Sequence, residues 1–221
     1  MASTLHLGRP IHASRALRMW RRSWLSREVC LFTAFSTVAC LYSGALWARL
    51  DGSTAVGAVT VALGLGGVTA SARIYCVPSR PTWNSPFTLA QFNLTAATLG
   101  PLFAAAIGTG DARGLAVVAA AMAGAALVTL ALRFLRASAS DGVELQASAK
   151  LLATRLRSLL VWRGVLLALG AIALPLFSVQ VPALWLGFAL ALGGELLGRY
   201  LFFVSAIPRH MTAAYLESNA A

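Results

Sequence analysis

Long apolar runs alternate with short polar segments along the whole chain. Six runs of roughly 20 residues carry few or no charges, and about 20 apolar residues in a helix are enough to cross the hydrocarbon core of a bilayer. The pattern predicts an all-α, polytopic transmembrane helix bundle. Its predicted spans lie near residues 27–48, 52–76, 86–108, 114–135, 158–178 and 183–204.

Polar segments precede and separate the predicted spans. Residues 1–23 form a basic loop before the first span, and a polar stretch near 137–157 separates the fourth span from the fifth. We find no internal repeat of 20–50 residues. We therefore predict a single membrane domain, 1–221.

Composition supports the membrane interpretation. Of the 221 residues, 58% are hydrophobic and only 11% are charged, whereas a soluble domain carries about 25% charged residues. The net charge of +11 lies in loops between apolar runs, without the interleaved aromatic residues of a nucleic-acid surface. We expect a lipid membrane as partner and no nucleic acid.

The basic residues also predict the topology. With six alternating spans, all 18 Lys and Arg residues except Arg49 and Arg113 fall on the side where the first span begins. That side includes Arg133, Arg136 and Arg163, which we count as charges between the fourth and fifth spans. By the positive-inside rule, these basic loops are cytoplasmic.

Residues that could carry chemistry are few. Glu28 begins the first span, where the helix dipole alone would favour a carboxylate. Glu195 and Arg199 lie four positions apart on one helical face, so they can form an ion pair that is either structural or part of a proton path. Tyr75 and Trp83 lie at span ends, as an interfacial aromatic belt or as a wall for a flat ring such as a quinone.

Several cofactors and activities are not expected. The three histidines lie outside the apolar runs, which argues against haem. The three cysteines are far apart, which argues against an iron–sulfur cluster or another metal in this chain. No hydrolase triad or phosphate-binding glycine loop is present, so we assign no catalytic residue.

Ordered motifs across the chain resemble the membrane anchor subunit of dimethyl sulfoxide reductase. They are LHLGRP at 5–10, WLSRE at 24–28, RIYCVPSRPTW at 73–83, Gly100-Pro101, GELLGR at 194–199, an aromatic cluster at 200–203, and His210-Met211. The family has eight spans, of which two precede LHLG. The resemblance thus implies a family member that lacks the first two transmembrane helices.

The resemblance implies a haem-free anchor that binds and oxidises menaquinol in the bacterial plasma membrane. Electrons would pass to a four-cluster ferredoxin-like iron–sulfur subunit and then to a molybdopterin catalytic subunit. His6, in the LHLG motif, and Glu28 would bind quinol and release its protons, beside Tyr75 and Trp83. Two alternatives remain: a fragment of a multi-span transporter or permease, and a purely structural anchor without quinol binding.

Overall fold

The computed structural model describes residues 19–209, and all regular structure in this range is helical. The helices are α1 (Trp24–Trp47), α2 (Ser53–Tyr75), α3 (Pro86–Ala106), α4 (Ala112–Ser138), α5 (Val143–Ala153), α6 (Arg157–Leu167), a π-helical turn (Ala168–Ala173), α7 (Leu174–Phe177) and α8 (Val181–Val204).

Among the described residues, five helical segments are long and apolar enough to cross a membrane: α1, α2, α4, the continuous stretch Arg157–Phe177, and α8. The predicted all-α, multi-span architecture is confirmed, and the chain is a multi-pass membrane protein. The third predicted span corresponds to α3, whose 21 residues also suffice for a crossing. Gln91 and Asn93 make α3 less apolar than the others, so the count of six spans stays a prediction.

The described residues divide into two compact units after Tyr75. In the first unit, α1 and α2 form a helical hairpin whose loop turns at Arg49 and Gly52, both with positive φ. Glycines on α2 face aromatic rings on α1. The pairs are Gly57 with Tyr42, Gly64 with Phe35 and Gly67 with Phe32. A Cβ at these glycines would lie 3.0–3.1 Å from the ring, so small residues permit the close packing on which helices in lipid depend.

In the second unit, α3, α4, α8 and the segment from α6 to α7 pack into a bundle. Its core consists largely of alanine with a few leucines, including Leu102 and Leu184. The backbones of the π turn and α8 approach closely, since a Cβ on Gly170 would lie 2.5 Å from the Ala191 nitrogen. A stripe of small residues lies along the buried face of α8 and consists of Gly187, Ala191, Gly194 and Gly198.

Two local features of the helices were not predicted from the sequence. The polar stretch near 137–157 contains the short helix α5, which buries Ser148 and Ala149. The predicted fifth span is interrupted by the π-helical turn, which ends just before Pro175. Proline has no N–H to donate, and its ring clashes with the carbonyl four residues earlier. The regular α-helical pattern therefore cannot continue unchanged through the residues before Pro175.

Candidate functional site

A carboxylate is held at one end of the α1–α2 hairpin. The Ser71 hydroxyl, near the end of α2, donates a hydrogen bond to Glu28 Oε1, near the start of α1. Glu28 is half-buried. The bond links residues 43 positions apart, and it fixes one carboxylate oxygen where the two helix ends meet.

Positive charge and an aromatic ring lie at the same end of the hairpin as this carboxylate. The guanidinium carbon of Arg27 lies 4.2 Å from the centre of the Trp24 ring, and that of Arg73 lies 5.6 Å from it. Tyr75 follows two residues later and is half-buried. The first unit thus gathers Glu28, Tyr75 and two arginines at one end of the hairpin.

Two other predicted site residues are not part of this arrangement as described. His6 lies outside residues 19–209, so its role in quinol binding stays a prediction. Trp83 belongs to the second unit, where its ring stacks on Phe202 with a centroid distance of 5.2 Å. Its indole N–H donates to the Phe202 carbonyl oxygen at 2.8 Å, and the guanidinium of Arg80 lies over the ring. These contacts tie the loop before α3 to the end of α8.

Glu195 lies inside the second unit and is only 4% exposed. The Thr95 hydroxyl on α3 lies 2.8 Å from Glu195 Oε2, within donating distance. The same hydroxyl accepts a hydrogen bond from Arg199 Nη2 at 3.5 Å. Thr95 therefore connects the two residues that we expect to pair, and the guanidinium of Arg199 also lies over the Phe92 ring.

Arg163 is buried in the second unit, so its prediction as a loop charge was wrong. We expect it among the loop charges from the sequence, but it is 5% exposed and lines a cavity of about 10 Å³ together with Glu195 and Arg199. The missing side chain of Gly198 makes this possible, because a Cβ there would lie 2.6 Å from Arg163 Nε. The position of Arg163 inside the predicted span 158–178 was the available signal for its burial.

The cluster therefore holds two arginines around one buried carboxylate. Each ionic group needs a partner in this environment, because an unpaired charge in a low-dielectric interior is strongly unfavourable. The cavity has room for about one water molecule. A carboxylate, a hydroxyl and one water can fix helix packing, or can relay a proton. Among residues 19–209, no group of three His, Cys, Asp or Glu side chains could hold a metal ion.

Comparison with known proteins decides the family. The model of the DMSO reductase anchor subunit family (DmsC) matches residues 1–204. The chain belongs to this family. As an anchor-subunit homologue it is 33% identical to anaerobic dimethyl sulfoxide reductase chain YnfH of Escherichia coli (strain K12), over 92% of this chain and 75% of that protein.

Two further relatives extend the comparison. A second anaerobic dimethyl sulfoxide reductase chain of E. coli is 32% identical to this anchor-family protein, again over 92% of its length and 75% of the relative. A sulfite dehydrogenase subunit of Allochromatium vinosum is 36% identical over 48% of this chain and 37% of that relative. No solved structure matches. Family membership favours a reductase anchor over the transporter alternative.

Proposed function

We propose that this chain binds menaquinol in the bacterial plasma membrane and oxidises it within a molybdopterin-dependent reductase complex. Its electrons would enter a four-cluster ferredoxin-like subunit and then the catalytic subunit. The observation that carries the proposal is the Glu28 carboxylate, which Ser71 holds at the end of the hairpin in a chain of the anchor family.

The chemistry requires proton acceptors. Oxidation of a quinol to a quinone releases two electrons and two protons, and a positioned carboxylate or imidazole can accept a proton from each hydroxyl. Glu28 would take one proton and His6 the other. Ser71 would keep the Glu28 carboxylate oriented, while Tyr75, at the same end of the hairpin, would border the quinol ring. The two electrons would pass to the iron–sulfur subunit one at a time, because an iron–sulfur cluster accepts a single electron.

The basic span ends support a cytoplasmic orientation for this side of the protein. Arg27 and Arg73 lie at the same hairpin end as Glu28. We therefore place the predicted quinol site near the cytoplasmic surface. The terminal acceptor would be set by the catalytic subunit, because reduction of the acceptor takes place there.

The test compares two electron donors in the assembled complex. The chain is co-expressed with its iron–sulfur and molybdopterin subunits, and acceptor reduction is measured with a menaquinol analogue and with a reduced viologen that bypasses the anchor. We expect Glu28→Gln and His6→Ala each to slow the quinol-dependent rate by about a hundredfold, the lower end for loss of a general base. The viologen-dependent rate should stay unchanged.

Asp51→Asn is the matched control for Glu28→Gln. Asp51 is an exposed carboxylate in the loop at the opposite end of the same hairpin, so its loss of charge should leave both rates unchanged. Ser71→Ala should slow quinol oxidation severalfold by releasing the Glu28 carboxylate. Normal quinol kinetics in Glu28→Gln would overturn the assignment, and a wild-type complex active only with viologen would identify a purely structural anchor.

A further inference from the structure

A second cavity, distinct from the Glu195 cluster, lies in the second unit between the start of α3 and the end of α4. Its volume is about 240 Å³, and the residues that line it include Thr82, Ser85, Phe87, Arg133 and Arg136. The cavity that contains Glu195 has only about 10 Å³. This larger cavity can therefore hold a chemical group well beyond the size of a water molecule.

Two hydroxyl groups beside the cavity lack hydrogen-bond partners. Thr82 is 6% exposed, and its buried Oγ1 has no partner. Ser85 precedes α3 as its N-cap residue, but its side chain makes no capping bond, and its buried Oγ is also without a partner. Buried hydroxyls without partners are uncommon because they lose hydrogen bonds to water without replacement. Their position points to a ligand that accepts hydrogen bonds.

The charge around the cavity selects an anion. Arg133 and Arg136 lie three positions apart on α4, so both reach the same face, and none of the described residues that line the cavity is acidic. The first turn of α3, at Pro86, adds the positive end of a helix dipole. Arginines, hydroxyl donors and a helix N-terminus together are typical of a site for phosphate oxygens.

The remaining wall of the cavity is apolar. Pro81, Pro86, Phe87 and Leu145 contribute to it, and the Arg136 guanidinium lies over the Phe87 ring, 5.2 Å from its centre. A free phosphate ion has no apolar surface to pack against this wall, whereas the glycerol and upper acyl chain of a phospholipid would pack against it. Basic pockets between transmembrane helices on the cytoplasmic side are also where anionic lipid headgroups bind.

We propose that this cavity binds the phosphodiester group of an anionic phospholipid. Arg133 and Arg136 neutralise the phosphate, the hydroxyls of Thr82 and Ser85 donate to its oxygens, and Phe87 and Leu145 contact the apolar part of the lipid. Such a lipid would join the start of α3 to the end of α4.

The test uses the full chain, purified in detergent and then supplied with phosphatidylglycerol, phosphatidylethanolamine or inorganic phosphate. Native mass spectrometry and ligand-induced thermal shifts report binding. We expect the wild type to retain phosphatidylglycerol in preference to phosphatidylethanolamine. Loss of one charged hydrogen-bonding partner in Arg136→Gln should weaken this binding about tenfold, and Thr82→Val about fivefold. Arg155→Gln, which removes an exposed arginine outside the cavity, should leave it unchanged.

Thr82→Val separates a ligand site from a structural defect. Without lipid, replacing a buried unpaired hydroxyl by a methyl group should preserve or raise the Tm, so a weaker lipid-induced shift can only come from the lost donor. Equal lipid retention by the wild type, Arg136→Gln and Thr82→Val would overturn the site. A shift with inorganic phosphate equal to that with phosphatidylglycerol would overturn the lipid assignment, as would displacement of the lipid by a menaquinone analogue.

Discussion

Gly170→Ala tests the close backbone contact between the π turn and α8 in the second unit. A Cβ at this position would lie 2.5 Å from the Ala191 nitrogen and 2.6 Å from the Gly187 carbonyl oxygen. Both atoms belong to the backbone of α8, so no side-chain rotation can relieve the clash. The π turn and α8 would have to separate by about 0.9 Å for the nearer contact to reach 3.4 Å, where ordinary van der Waals contact begins.

The expected cost follows from two opposing effects. Overpacking a close-packed interface costs about 1–3 kcal/mol, and separation of the two helices removes further contacts along the stripe of small residues. Alanine has a higher helix propensity than glycine by about 0.8–1.0 kcal/mol. Because backbone atoms oppose the new methyl group, the clash should dominate. We expect a net loss of about 1–3 kcal/mol in the free energy of unfolding.

Gly164→Ala is the matched control, because it makes the same chemical change in α6, where a Cβ would meet no atom within 4 Å. Unfolding by SDS in mixed micelles, followed by tryptophan fluorescence and circular dichroism, measures both variants. Gly164→Ala should be as stable as the wild type or slightly more stable. A Gly170→Ala variant as stable as the wild type, or equal destabilisation of both variants, would refute a clash between the backbones of the π turn and α8.

Other predictions concern the buried polar contacts of the second unit. Glu195→Gln should lower the free energy of unfolding by about 3–5 kcal/mol because it leaves buried arginine charge uncompensated, and adding Arg163→Met should recover most of that loss in the same SDS assay. A loss below about 1 kcal/mol in the single variant would mean that Glu195 does not balance Arg163. Trp83→Phe keeps an aromatic ring but removes the donor to the Phe202 carbonyl, so a loss of about 1 kcal/mol is expected. An unchanged unfolding midpoint would show that this hydrogen bond adds nothing.

The helices were predictable because the membrane constrains them strongly. A segment that crosses lipid must satisfy its own backbone hydrogen bonds and must be apolar for about 20 residues. The length of each run therefore indicates its helix: the run predicted near 183–204 corresponds to α8, Val181–Val204. The helix α5 was not predicted because it is short and carries Glu144 and Lys150, so no long uncharged run marks it.

The contacts around the candidate sites were harder to predict from the sequence. The positions of Glu28 and Glu195 at or within apolar runs marked them as unusual, because charges are costly there. Their hydrogen-bonding partners could not be predicted from the sequence. Ser71 is an ordinary polar residue 43 positions from Glu28, and Thr95 lies 100 positions from Glu195. Neither spacing carries a periodic signal.

The sequence by itself determined the membrane environment of this protein, its helical class and its family, because each follows from local composition or from ordered motifs. Only the tertiary structure decided which helices approach through glycine, that Arg163 lies in the space left by Gly198, and that Ser71 holds Glu28. These features depend on how helices distant in sequence pack together. Packing in lipid is set by the shapes of small and large side chains across an interface, which no single segment contains.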